Sequence, residues 1–216
     1  MRYDAVIFDL DGTLLDTLRD IAESMNAALG SLAAPAVAIE EYRRYVGDGV
    51  VILAERVLPP GRRDPDTVAR CVAVMRELYS ARLTRWSRPY PGIAELLDGL
   101  GARGIEMAVL SNKPHAMTVP LVAQVLARWH FGVVIGERSG IPRKPDPQAA
   151  VEVAELLAVD AGRILYLGDT GTDMETATRA GMFAVGALWG FRDRKELEEA
   201  GAAALVSEPG QVLDLL

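Results

Sequence analysis

The sequence predicts a doubly wound α/β fold: a mostly parallel sheet as the core, with a small all-α unit inserted after the first strand. Two textures lead there. Short apolar runs recur at residues 5–8, 107–110, 132–135, 164–167 and 183–185, each ending in a polar or glycine-rich loop. Runs this uniformly apolar suit strands buried on both faces of a parallel sheet. Between them the apolar spacing becomes helical, as at 93–100 and at 148–157, where Ala149, Val153, Leu156 and Leu157 share one side. Strands alternating with helices build a Rossmann-like open sheet.

A third texture fills residues 16 to about 86, where no convincing strand occurs. It opens on Thr17-Leu18-Arg19-Asp20, a helix-start pattern in which the threonine caps the first turn. Helical stretches follow at 18–29, 39–46, 49–58 and 65–83, separated by Ala34-Pro35, Gly47-Asp48-Gly49 and Pro59-Pro60-Gly61. The proline-rich stretch 87–92 returns the chain to the α/β pattern. The expected division is therefore a core of residues 1–15 and 88–216 and a helical unit of 16–87.

At 216 residues the chain can bury one substantial core with a smaller insertion. A net charge of −7 argues against a sequence-independent nucleic-acid binder, which needs a basic face. Cys71 is the single cysteine, which excludes an intramolecular disulfide and a multi-cysteine metal site; it reads as an apolar helix-face residue. No run approaches the ~18 apolar residues of a membrane helix, and the chain opens on the first strand without a signal-like leader. A cytoplasmic protein acting on a small molecule is expected, with no nucleic-acid or membrane partner, as monomer or homodimer.

Ligands of open α/β sheets bind beyond the carboxyl ends of the strands, so the residues following each run matter most. After the first come Asp9-Leu10-Asp11-Gly12-Thr13. Two carboxylates so close can serve one reaction centre in different roles, one as nucleophile toward phosphorus and one as general acid and base. Gly12 permits a sharp turn; an ordinary Asp-Gly turn is the bland alternative. After the second run come Ser111-Asn112-Lys113-Pro114, a hydroxyl and backbone N–H groups able to cradle a phosphate, or simply an N-cap. Lys113 reads as a solvated first-turn residue and His115 as a helix-face residue.

The third run leads to Arg143-Lys144-Pro145-Asp146-Pro147, whose prolines hold it extended and give Lys144 a defined direction. Lys144 suits the anionic oxygens of a phosphoryl group; Arg143 reads as solvated. After the fourth run, Asp169 faces Asp9 as a metal ligand, and Asp173 is placed to orient Lys144 or a metal-bound water. Alternatively, both acids complement a helix dipole.

Taken together, these four motifs, in this order, resemble the haloacid dehalogenase superfamily of phosphatases, over nearly the whole chain and with a helical cap in the expected place. The resemblance implies that Asp9 is the nucleophile, Asp11 the acid/base, and Ser111, Asn112 and Lys144 the phosphate-binding groups. It also implies Mg2+ held by Asp9, Asp169 and the main-chain carbonyl of Asp11, with Thr13 and Asp173 in support. The cap segment Arg43-Arg44-Tyr45-Val46-Gly47-Asp48-Gly49 is similar to that of phosphoglycolate phosphatases, except that Asp48 stands where asparagine is expected. The Gly47-Asp48-Gly49 turn is either a helix C-cap or a loop that dips to the site, with Arg43 or Arg44 meeting a substrate carboxylate. Inorganic pyrophosphatase, sugar phosphomutase and a non-catalytic binding protein are the competing readings.

Overall fold

The structure is a computed structural model and describes residues 2–82 and 84–216. In chain order the elements are β1 (Ala5–Phe8), β2 (Leu15–Asp16), α1 (Leu18–Ser31), α2 (Val50–Val57), α3 (Pro65–Ser80), β3 (Arg88–Pro89), α4 (Ile93–Ala102), β4 (Glu106–Pro114), α5 (His115–Val125), β5 (Val133–Glu137), α6 (Gln148–Leu157), β6 (Ile164–Gly168), α7 (Gly171–Arg179), β7 (Phe183–Ala187), α8 (Arg194–Glu199) and β8 (Ala204–Val206). The last residue of the expected helix 65–83 lies outside the described residues.

Six strands form a parallel sheet in the order β5-β4-β1-β6-β7-β8. Alternation along each strand explains why the runs are apolar throughout. Val6, Phe8, Met107, Val109, Leu165 and Leu167 point into one core, which α4 and α5 cover. Ala5, Ile7, Ala108, Leu110, Ile164 and Tyr166 point into the other, against α6 and α7. A strand covered on both faces needs hydrocarbon at every position.

Helices α1–α3 lie between β2 and β3, and those two short strands pair antiparallel where the chain leaves and re-enters the sheet unit. The Asp20 carboxylate fastens this seam, accepting from the Ser87 N–H and hydroxyl at 2.7 Å each and from the Trp86 N–H at 2.9 Å. Among the described residues no helix is long and apolar enough to cross a membrane.

Several expectations need correction. Residues 39–44 wind as 3-10 turns rather than an α-helix. Leu156 is 61% exposed; the buried face of α6 is Ala149, Ala150, Val153 and Ala154. Thr17 makes no side-chain cap, because its hydroxyl is drawn to Asp11 instead. Residues 143–146 form a turn closed by the Asp146 N–H on the Arg143 carbonyl at 3.0 Å, a shape that proline's fixed φ permits as readily as an extended one. Strand β8 escaped the apolar-run pattern because it is three residues long and half alanine-flanked, too short for any periodicity.

Candidate active site

The sheet register brings the loops level. Phe8 pairs with Val109 on one side and Leu167 on the other, so Asp9, Ser111 and Asp169 leave the sheet side by side at its carboxyl edge. The Asp9 N–H still donates to Leu167 at 2.9 Å, which fixes where the carboxylate emerges. Lys144 arrives from the loop between β5 and α6.

Lys144 is buried, and its ammonium donates to Asp9 Oδ1 at 2.7 Å, Asp173 Oδ1 at 2.6 Å and the Leu110 carbonyl at 3.1 Å. Burial pulls its pKa down, but Asp173 and Asp9 outweigh that and hold it well above the ordinary lysine value. Asp173 Oδ2 accepts from the Thr170 hydroxyl at 2.7 Å and the Thr170 N–H at 3.1 Å, in a reciprocal capping box at the start of α7. Both oxygens of Asp173 are thus occupied, and the side chain aims Lys144 at Asp9.

Asp169 is fully buried. Its Oδ1 accepts from the Thr13 hydroxyl at 2.9 Å and its Oδ2 from the Phe191 N–H at 2.7 Å. Gly12 has φ +97°, and a Cβ there would sit 2.3 Å from Asp169 Oδ2. Only glycine lets the turn after Asp11 pass so close to that carboxylate.

Burial raises the Asp9 pKa to about 7, with Asp173 and Asp11 adding to the rise and Lys144 opposing it. Burial, then Asp9 and Asp173, push Asp169 well above the ordinary carboxylate range. One oxygen from each of Asp9, Asp169 and Asp173 lies within 4.8 Å of the others. Three buried carboxylates around one ammonium are short of positive charge, and an all-oxygen donor set fits a hard divalent cation.

Asp11 occupies a different environment from Asp9. Its carboxylate accepts from the Thr17 hydroxyl at 2.7 Å and from Lys113 Nζ at 2.9 and 3.0 Å. Lys113 is therefore buried and paired, not a solvated first-turn residue. Burial alone lowers its pKa, but Asp11 and then Tyr79 raise it above the ordinary value. The Ser111 hydroxyl accepts from the Lys113 N–H at 3.2 Å, and Asp9, Asp11, Ser111 and Lys113 line one cavity at the strand ends.

The Asn112 side chain is taken up by the protein itself. Its amide donates to the Gly47 carbonyl at 3.0 Å and the Lys144 carbonyl at 3.1 Å, and its Oδ1 accepts from the Lys144 N–H at 2.9 Å. With both its N–H groups taken, it positions Lys144 and the Gly47-Asp48-Gly49 turn, so an Asn112 contact to phosphate would come from its backbone N–H. Arg143 is likewise engaged, donating to the Asp48 carbonyl at 3.1 Å and lying 3.6 Å from Glu137. His115 accepts from the Gly136 N–H through Nδ1 at 3.2 Å.

The Gly47-Asp48-Gly49 turn does reach the strand ends, and Gly47 and Gly49 line the cavity. Asp48 turns away, pairing with Arg56 at 2.5 Å and accepting from the Thr172 hydroxyl at 3.0 Å. Arg43 and Arg44 are exposed and line no part of the cavity; Arg43 donates instead to the Gly190 carbonyl at 2.9 Å. Residues 189–192, after β7, complete the seam. The Trp189 indole donates to Thr13 at 3.0 Å, and the Arg192 guanidinium holds the carbonyls of Arg43 and Val46, the latter at 2.8 Å. Reading the polar residues after the fifth apolar run, as after the other four, leads to Arg192.

Carboxylates, a lysine and a hydroxyl thus converge at the carboxyl edge of a doubly wound sheet, where such folds bind their ligands. The chain belongs to the haloacid dehalogenase-like hydrolase family, whose model matches residues 6–187. It is 33% identical over 209 residues to a phosphoglycolate phosphatase of Mesorhizobium japonicum, covering 96% of this chain and 92% of that one. A phosphoglycolate phosphatase of Pseudomonas savastanoi is 30% identical across 94% of this chain and 76% of its own. Among solved structures, a predicted phosphoglycolate phosphatase from Haemophilus somnus superposes with a TM-score of 0.91 at 25% identity, covering 100% of this chain and 98% of that one.

Proposed function

We propose that this chain is a Mg2+-dependent phosphatase that hydrolyses a small phosphate monoester through an aspartyl-phosphate on Asp9, with residues 16–87 acting as a cap over the site. The observation that carries this reading is the unequal setting of two carboxylates two residues apart. Asp9 has one oxygen on Lys144 and is flanked by Ser111 and Asp169, whereas Asp11 is held away on Thr17 and Lys113. Divided surroundings suit divided roles.

In the first step an Asp9 oxygen bonds to phosphorus, and the bond from phosphorus to the ester oxygen breaks. Asp11, once it has left its pairing with Lys113 and taken a proton from water, gives that proton to the departing alkoxide. In the second, a water oxygen bonds to phosphorus and releases Asp9 while Asp11 takes the water's proton, so phosphate leaves and the enzyme is restored. Lys144 and the Ser111 hydroxyl stabilise the phosphoryl oxygens throughout. Asp9 and Asp169, with the main-chain carbonyl of Asp11, would hold Mg2+, which supplies charge neutralisation to the transferring group.

The names of the relatives place phosphoglycolate first among the esters to assay. Phosphate release from an aryl phosphate should vanish in chelator and return with Mg2+. Undiminished turnover in exhaustively chelated protein would refute the reading. Rearranged ester without free phosphate would redirect it to a mutase.

A further inference from the structure

Beyond Asp9, Asp11 and Ser111 the cavity extends under the cap, with a volume of about 50 Å3. Its far wall is Ile21, Val46, Val50, Leu53, Met75 and Met117, all buried and contributed by the cap helices, the cap turn and α5. A phosphoryl group seated on Asp9 and Lys144 points its ester substituent toward this wall, because the sheet closes the opposite side.

Charge decides which substituent fits. Among the described lining residues Lys113 is the one cation, and both oxygens of Asp11 already take its ammonium. The arginines nearest this part of the cap are engaged elsewhere: Arg43 on Gly190, Arg56 on Asp48, Arg143 on the Asp48 carbonyl and Glu137. A carboxylate on the leaving group would therefore lose its water against hydrocarbon, close to the Asp11 carboxylate, and would meet the neutral, unpartnered Tyr79 hydroxyl rather than a free cation. An uncharged alkyl group in the same place removes apolar surface from water on both sides, which is favourable.

Resting on the phosphatase reading above, we propose that the ester this site is built for has an uncharged, largely apolar leaving alcohol rather than a carboxylate-bearing one such as glycolate. The wall residues from the cap, Leu53 and Val50 on α2 foremost, then act as specificity determinants.

Two pairs of compounds of equal shape test this. Isobutyl phosphate and phosphoglycolate differ by two methyl groups against a carboxylate. Their non-hydrolysable counterparts, 3-methylbutylphosphonate and 3-phosphonopropionate, report binding by calorimetry on the Mg2+-loaded protein without any turnover. The expected result is that the neutral member wins at least tenfold in kcat/KM and in Kd. Lengthening a straight alkyl phosphate should raise kcat/KM by about fourfold per methylene until the wall is reached, the factor equivalent to about 0.8 kcal/mol per buried methylene. Leu53→Arg, which places a cation on the wall, should shift the phosphoglycolate to isobutyl phosphate ratio at least tenfold toward phosphoglycolate. Equal or better binding of 3-phosphonopropionate by the unaltered protein overturns the proposal, and so does failure of both phosphonates to bind. Tighter binding of the neutral phosphonate with no ester hydrolysed upholds the pocket assignment and removes the phosphatase reading instead.

Discussion

The strand-end loops and the apolar wall of the proposed cap line one cavity, yet they are built on opposite principles. At the strand ends, Asp9, Lys144, Asp169 and Asp173 are buried charges held by several partners, each at hydrogen-bond distance. Across the cavity, Ile21, Val50, Leu53 and Met75 offer only shape and hydrocarbon. Buried charge is costly unless paired and hydrogen-bonded, so the first region is over-determined and intolerant of change. Apolar walls tolerate volume-conserving exchange. Chemistry and selectivity are thus separable here, and substitutions in one region should leave the other's property standing.

The largest break in that contrast is expected from Asp9→Asn. Losing a covalent nucleophile lowers turnover by a factor on the order of 10⁶, for every ester regardless of its leaving group. Stability should move the other way. Burial raises the Asp9 pKa to about 7, so its ionised form opposes folding at neutral pH. Without metal, the melting temperature of Asp9→Asn at pH 8 should equal or exceed that of the unaltered protein. A marked fall would show that the carboxylate stabilises the fold.

A smaller effect links pH to metal. A carboxyl whose folded pKa is raised contributes stability that is full below the unfolded value of 3.8 and lost as pH rises through about 7. Asp169 is raised as well. The metal-free protein should therefore lose stability between pH 4 and pH 8. Mg2+ must displace these protons, so its apparent affinity should weaken about tenfold per pH unit below 7 for each proton released. Thermal melts with chelator and with Mg2+ at pH 5.5 and 8 check this: the metal-induced rise should be larger at pH 8. Equal rises at both would contradict the assignment of the metal to Asp9 and Asp169.

What the sequence made legible follows the same division. Asp9, Asp11, Asp169 and Asp173 follow closely on an apolar run and Lys144 lies in the loop after another, where a parallel sheet collects its loops, so a local reading finds them. Lys113 and Thr17 were misread because their meaning lies in a shared partner. Both bind Asp11, and for Lys113 that partner is 102 residues away. Helical periodicity identifies an apolar face on α1, α2 and α3 without saying what it faces. The cavity wall was for that reason invisible, and a cap arginine was the nearest available guess for a substrate contact.

Arg192→Ala carries the smallest expected effect. Removing a guanidinium from the carbonyls of Arg43 and Val46 should cost about 1 kcal/mol, or about 2–4 °C of Tm for a chain this size. Turnover should change by less than about tenfold, with the ranking of substrates preserved. A reordered ranking would mean that the seam, and not the apolar wall, sets selectivity.

The most direct test of the divided carboxylates is rapid acid quench of Asp11→Asn during turnover of an aryl phosphate, followed by mass spectrometry of the peptide containing residues 9 and 11. General acid–base help is typically worth about 10²–10⁴-fold, and an aryl leaving group needs little of it. Asp9 should therefore still be phosphorylated, while hydrolysis of the phosphoenzyme, deprived of its base, should stall. The account predicts phosphate accumulated on Asp9 alone, and none in the Asp9→Asn protein. Phosphate on any other residue, or a phosphoenzyme that forms in Asp9→Asn, would contradict it.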